Sequence, residues 1–209
     1  DKPKMDSLSK SDKKRNDELY GLFKKAGLPD AWSKELKEQN YQKLGKIAEY
    51  AGLPLDGTSC LDVGCGTGDL SAFLRQGNIE DYLGVDIYEP SLVEARKKHN
   101  NERFENLDIL GWETDKKFDY AFCSGALSTR LGSDNYEFLE AMVRKMWDLT
   151  QIGVSFNFLT DEDPQAEPEI FFYSVDSVMA ISKGIAGGNG KVLLEKDTEN
   201  YQCHVYLHR

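Results

Sequence analysis

A short apolar strand that runs straight into a glycine-packed turn and a helix start constrains this chain more than any other feature. The run is Leu61-Asp62-Val63-Gly64-Cys65-Gly66-Thr67-Gly68-Asp69-Leu70. Glycines at 64, 66 and 68 free the backbone to take positive φ and put no Cβ in a ligand's way, so main-chain N–H groups can reach it. In open α/β sheets such a crook, set against a helix N-terminus, cradles a nucleotide. Dinucleotide sites space their glycines G-x-G-x-x-G. Here the third glycine comes one residue early, and Asp69 stands in its place. A carboxylate there repels a diphosphate and suits a ligand carrying an ammonium and a sulfonium.

Three later stretches share the form of an apolar strand closed by an acid or a small-residue turn. Tyr82-Leu83-Gly84-Val85-Asp86-Ile87 ends in Asp86, close to the roughly 20-residue spacing at which an acid holds ribose hydroxyls. Phe104-Glu105-Asn106-Leu107-Asp108-Ile109-Leu110 reads as a third strand ending in Asp108, and Phe118-Asp119-Tyr120-Ala121-Phe122-Cys123-Ser124-Gly125-Ala126-Leu127 as a buried strand followed by a turn of small residues. Read alone, Asp86 also suits a cap for the helix that follows Pro90. Asp108 alone also suits a solvated loop.

Together these stretches resemble the motifs of class I S-adenosylmethionine-dependent methyltransferases, over residues 59–158. The resemblance implies an α/β fold with a doubly wound, mostly parallel seven-stranded sheet, a C-terminal antiparallel hairpin strand and added N-terminal helices. It implies S-adenosylmethionine as cofactor and S-adenosylhomocysteine as product. By the same resemblance Gly64, Gly66 and Gly68 shape the cofactor loop, Cys65 sits among them for its small size, and Asp62 with Asp69 orients the methionine end. Asp86 would hold the ribose and Ile87 lie against the adenine. Asp108 would take the adenine amino group, and the N–H of Ile109 a ring nitrogen. Ser124, where strand four ends, marks the place of the transferred methyl.

At 209 residues the chain fits one domain able to bury most of its apolar surface. Its mean hydropathy is −0.56, and no apolar stretch approaches the roughly 20 residues of a membrane helix, so no membrane partner is expected. The opening Asp1-Lys2-Pro3-Lys4 has neither an initiator Met nor an apolar signal core and reads as a trimmed start. Cys60, Cys65, Cys123 and Cys203 make neither a C-x-x-C pair nor a zinc spacing. Free thiols in a reducing, cytoplasmic compartment and no metal are the expectation. The net charge of −10 is uneven: residues 1–50 carry 12 Lys and Arg against 9 Asp and Glu, and the remainder 14 against 27. Nucleic-acid binders gain affinity by releasing counterions from a basic face, so the acidic body disfavours DNA or RNA and the N-terminal lysines read as solvating.

Residues 1–14 lack apolar periodicity and read as a loose tail. A helical extension follows over 15–52. Its first helix spans 16–26, with Leu19, Leu22, Phe23 and Ala26 at helical spacing and Gly27 as cap; its second runs from Pro29 or Asp30 to Tyr50. Trp32 and Tyr41 are candidates for a lid over the cofactor mouth or for plain packing. The body, 53–209, alternates strands at 59–63, 81–86, 103–107, 118–123 and 154–159 with helices at 69–76, 90–99 and 135–150. Runs at 191–195 and 202–207 form a hairpin that adds an antiparallel strand at the sheet edge.

The acceptor side is expected in the loops 124–134 and 160–169. The second is strongly acidic and ends in Ile170-Phe171-Phe172-Tyr173, which suits either a solvated loop or a substrate cover with an aromatic wall. His99, His204 and His208 lie away from the strand ends, so no general base and no catalytic residue is assigned. Strand four lacks the Asn/Asp-Pro-Pro-aromatic motif of exocyclic and amide nitrogen methylation. The reading is methyl transfer to a small molecule by in-line displacement, driven by proximity and orientation. Its rivals are a protein or RNA methyltransferase, a non-catalytic S-adenosylmethionine-binding module and, third, an NAD-dependent oxidoreductase.

Overall fold

The structure, a computed structural model, describes residues 5, 7–25, 33–163 and 168–209; the side chains of 19, 20 and 22–25 lie outside that description. Three helices, α1 (Lys10–Lys25), α2 (Lys34–Gly45) and α3 (Ile47–Ala51), precede the alternation β1 (Ser59–Val63), α4 (Asp69–Gln76), β2 (Asp81–Asp86), α5 (Glu89–Lys98), β3 (Arg103–Asn106) and β4 (Phe118–Cys123). Then come α6 (Asn135–Leu149), β5 (Thr150–Leu159), α7 (Val175–Ala186), β6 (Lys191–Asp197) and β7 (Gln202–His208).

Local chemistry sets these boundaries. The Asp134 carboxylate caps α6 by accepting the N–H groups of Tyr136 and Glu137. Phe138, Leu139, Met142, Val143 and Met146 then repeat at helical spacing and are buried. Gly52, at φ 69°, closes α3 in the left-handed conformation.

The seven strands lie in the order β3-β2-β1-β4-β5-β7-β6. Strands β1 to β5 are parallel, and β7 runs antiparallel to both β5 and β6. Alternate residues of each strand serve opposite faces. Leu61, Val63, Leu83 and Val85 pack with Phe138, Leu139 and Val178 from α6 and α7. Cys60, Tyr82, Tyr120 and Phe122 pack with Leu44, Ile47, Leu74 and Leu92 from the helices on the other side. Burying each large apolar side chain contributes roughly 1.5–3 kcal/mol, and the doubly wound arrangement uses both faces.

Several expectations need correction. The stretch 1–14 is not a loose tail where it is described: α1 begins at Lys10, and Leu8 and Asp12 are buried. Ser9 starts the helix, its Oγ accepting the Asp12 N–H at 3.0 Å. The second expected helix is two, α2 and α3, broken at Lys46. Ala26, Gly27, Pro29, Asp30 and Trp32 lie outside the described residues. The antiparallel strand is not at the edge, because β7 is buried along its whole length and needs a neighbour on each side. The edge strand is β6, whose Lys191, Leu193 and Lys196 are exposed. Helix α7 has no counterpart among the expected elements. Asp108 stands two residues past the end of β3, not at it.

Candidate active site

Beside β1 the strand order reverses, since β2 lies on one flank and β4 on the other. Ligands of open α/β sheets bind in that crevice, beyond the carboxyl ends of the strands. The pocket there is lined by Asp62, Gly64, Gly66, Asp86 and Ser124, by Lys37 and Tyr41 of α2, and by Glu169 and Ile170 from the segment after β5.

Gly64, Gly66 and Gly68 take φ of 71°, 53° and 79°. A Cβ on Gly64 would lie 2.5 Å from the Ala126 Cβ, and one on Gly68 2.6 Å from the Phe104 ring. Those two glycines answer to the protein's own packing. A Cβ on Gly66 would meet nothing within 4 Å, so the open space of the crook begins there. The expectation that all three clear a path for a ligand narrows to Gly66.

The Gly66 N–H donates to Asp86 Oδ2 and the Tyr88 N–H to Asp86 Oδ1, each at 2.8 Å. Burial pushes the Asp86 carboxyl up despite these bonds. A carboxylate has about four acceptor positions, so capacity remains for hydroxyls on the pocket side. Asp62 is buried, with Tyr82 OH donating to its Oδ2 at 2.7 Å. Burial raises its pKa, the Tyr82 bond opposes, and the charges of Asp86 and Asp69 add to a rise to about 7.

Asp69 is differently placed. It accepts from Lys37 Nζ at 2.9 Å, from Lys98 Nζ and from Thr67 Oγ1 at 3.2 Å. Burial raises its pKa, but the two lysines outweigh it and bring the carboxyl to about 2. With two cations on it, Asp69 neither repels a diphosphate nor offers a free carboxylate to an ammonium. The departure from a dinucleotide site rests on the glycine spacing and the strand order.

Ile87 and Ile109 line an adjoining cavity with Asp86, Asp108, Leu8 and Asn16. Ser124 faces the main pocket, and its neighbour Gly125 donates its N–H to Asn157 Oδ1 at 2.8 Å. Cys65 lies in the pocket wall, its thiol pushed well up by burial, which makes it a small filler and a poor nucleophile. All four cysteines are buried free thiols.

The two loops expected to build the acceptor side pair with each other. Thr129 bridges Ile170, the Arg130 N–H donates to Glu169 O at 2.9 Å, and the Phe171 N–H to Ser128 O at 2.8 Å. The expected aromatic wall does not line the pocket: among its members Phe171 and Phe172 are half-buried. Tyr173 is fully buried, 4.7 Å from the Phe171 ring and 5.4 Å from that of Tyr136, leaving Glu169 and Ile170 to face the pocket. Residues 164–167 of the acidic loop lie outside the described residues. No histidine is among the described residues that line the main pocket, although His99, expected away from the strand ends, stands with its Nε2 3.6 Å from Asp69 Oδ1; His204 is buried, with its Nε2 3.0 Å from Asn40 Oδ1. Lys37, Tyr82 and Asn16 join the site without any sequence signal of their own, whereas Tyr41, a lid candidate, does line the mouth.

Residues 60–148 match the family model described as a methyltransferase domain. That segment, which carries the ends of β1 to β4 and hence the floor of the site, is similar to a methyltransferase domain, and the whole sheet has the class I methyltransferase fold. Magnesium protoporphyrin IX methyltransferase (ChlM) from Synechocystis PCC 6803, solved with bound SAM, aligns at a TM-score of 0.69 and 17% identity, over 97% of this chain and 99% of that one. The DhpI–SAH complex aligns at 0.68 and 15%, over 96% and 98%. The [4+2]-cyclase SpnF aligns at 0.71 and 12%, over 97% of each chain. At these identities the likeness is one of fold. No curated protein sequence matches the chain.

Proposed function

We propose that this chain binds S-adenosylmethionine at the β1 crook and transfers its methyl group to a small-molecule acceptor. The observation that carries the reading is the open space at Gly66, flanked by the carboxylates of Asp62 and Asp86 at adjacent strand ends. The similar ChlM and DhpI structures were solved with SAM and SAH, and the residues here fit that ligand. Asp86, held rigid by two main-chain N–H groups, faces the ribose hydroxyls. Asp62, oriented by Tyr82, faces the ammonium of the methionine end.

The cofactor, when bound, supplies a methyl on a sulfonium. Holding acceptor and methyl in line would account for most of the acceleration in such a displacement. The paired backbone of Thr129 and Ile170, both of which line the pocket, supports a small acceptor, because it gives that side of the pocket a built wall.

Incubation with methyl-labelled S-adenosylmethionine and fractionated metabolite pools tests this reading. Label is expected in a low-molecular-weight product, with S-adenosylhomocysteine formed in equal amount. Bound cofactor with no label transferred to any fraction would contradict methyl transfer and favour another use of the site, in line with the likeness to a [4+2]-cyclase. Label in protein or RNA would contradict the small acceptor.

A further inference from the structure

The cavity that adjoins the crook is walled on one side by the N-terminal segment, through Leu8 and Asn16, and on the other by Asp86, Ile87, Asp108 and Ile109. Five polar contacts, made through Asp108, Asp12 and Arg15, fix that segment. Asp108 Oδ2 accepts the Leu8 N–H at 3.1 Å and meets Lys13 Nζ at 2.9 Å, while its Oδ1 accepts the Leu110 N–H at 3.1 Å. Asp12 accepts the Gly132 N–H at 2.6 Å and the Ser133 hydroxyl at 2.9 Å. Arg15 Nη2 donates to Glu169 Oε2 at 2.9 Å. The result is that Asn16 is only 8% exposed and lines the cavity, with its Oδ1 buried and, among the described residues, unpartnered. A buried amide oxygen left unpaired destabilises a fold, and a donor brought by a ligand removes that penalty.

We infer that Asn16 reads the adenine edge of the cofactor, while Asp108, to which the family resemblance assigns that edge, anchors α1. The inference rests on the adenosyl reading of the pocket given above. Oδ2 of Asp108 carries two donors and Oδ1 one, so the chain's own groups take three of its roughly four acceptor positions. An asparagine amide sets an acceptor beside a donor and so complements adenine, whose amino group lies beside a ring nitrogen. On the edge that carries the amino group and N7, hypoxanthine presents two acceptors, so no orientation of the asparagine amide pairs both. Asn16 is therefore a specificity residue that enters the site from α1, outside every strand-end motif.

Calorimetric titration of the full chain with S-adenosylhomocysteine and S-inosylhomocysteine tests the assignment. The wild-type chain is expected to prefer the adenosyl ligand by about tenfold or more, as one good amide-to-adenine pair provides. Asn16→Ala suits a helix interior and is expected to lower adenosyl affinity about tenfold with inosyl affinity little changed, so the preference collapses. Asn16→Asp keeps an acceptor oxygen and is expected to retain the preference. An unchanged preference in Asn16→Ala, or equal loss for both ligands, overturns the role of Asn16. A wild-type chain that binds neither ligand overturns the adenosyl reading itself.

Discussion

Asp62 and Asp86 stand at adjacent strand ends but in different electrostatic conditions. Asp86 is locked by the N–H groups of Gly66 and Tyr88, whereas Asp62 is buried against Tyr82 and has a pKa pushed up to about 7. If Asp62 receives the cofactor's ammonium in its ionised form, binding draws its pKa down and releases a proton. Cofactor affinity should then rise with pH up to about 7 and level off above it, and Asp62→Asn should flatten the profile; a pH-independent affinity in the wild-type chain would contradict this role. Asp86→Ala should weaken the cofactor by roughly 1.5–3 kcal/mol, the usual loss of hydrogen bonds to a charged group; titration curves like those of the wild type would contradict ribose binding. Both carboxylates were legible in the sequence, because Asp62 stands just before the glycine crook and Asp86 ends the next apolar strand. The engagement of Asp69 was not: Lys37 and Lys98 reach it from helices whose packing no spacing rule foretells.

Among the elements, β1 to β4 and the helices between them follow from apolar runs with clear stops, and the structure reproduces them within a residue or two. The ends of the chain were harder to read. Lys, Ser and Asp dominate the first residues, so composition suggested solvation, yet the buried Leu8, the cap of Ser9 with Asp12 and the ion pairs of Lys13 and Arg15 seat α1. The Ser-x-x-Asp spacing was the available signal. Burial raises the Asp12 pKa, but hydrogen bonds from Ser9, Gly132 and Ser133 outweigh it and hold the carboxyl below its ordinary value. Asp12→Ala should therefore unseat α1, seen as faster amide hydrogen exchange over residues 10–18 with protection of β1 and β4 retained. Unchanged protection in α1 would show that the helix is held by other means. The order of β6 and β7 also escaped, because a hairpin read from turn signals does not say which strand faces the sheet; the buried run of β7 decides it.

At the scale of the whole molecule, the uneven charge has a structural use. The basic N-terminal region does not merely solvate the chain; its cations pair with the acidic body, Lys37 with Asp69, Lys43 with Asp197 at 2.5 Å, and Lys46 with Glu195 at 3.0 Å. Burial raises the Asp69 and Asp197 pKa values, but their lysine partners, joined at Asp197 by Asn200, outweigh it and bring both to about 2 from an ordinary 3.8. Folded pKa values below the unfolded ones stabilise the fold fully above about pH 4, and that stability is lost as pH falls towards 2. Thermal unfolding followed from pH 5 to pH 2 should show a drop that Asp69→Asn and Asp197→Asn each reduce; a drop unaltered by both would place the acid sensitivity elsewhere. Among the described residues no helix is long and apolar enough to cross a membrane. The most direct test of the account is calorimetry of the chain with S-adenosylmethionine, S-adenosylhomocysteine and NAD. Both sulfur ligands should bind, NAD should not, and binding of either should weaken in Asp86→Ala; NAD binding without either sulfur ligand would contradict it.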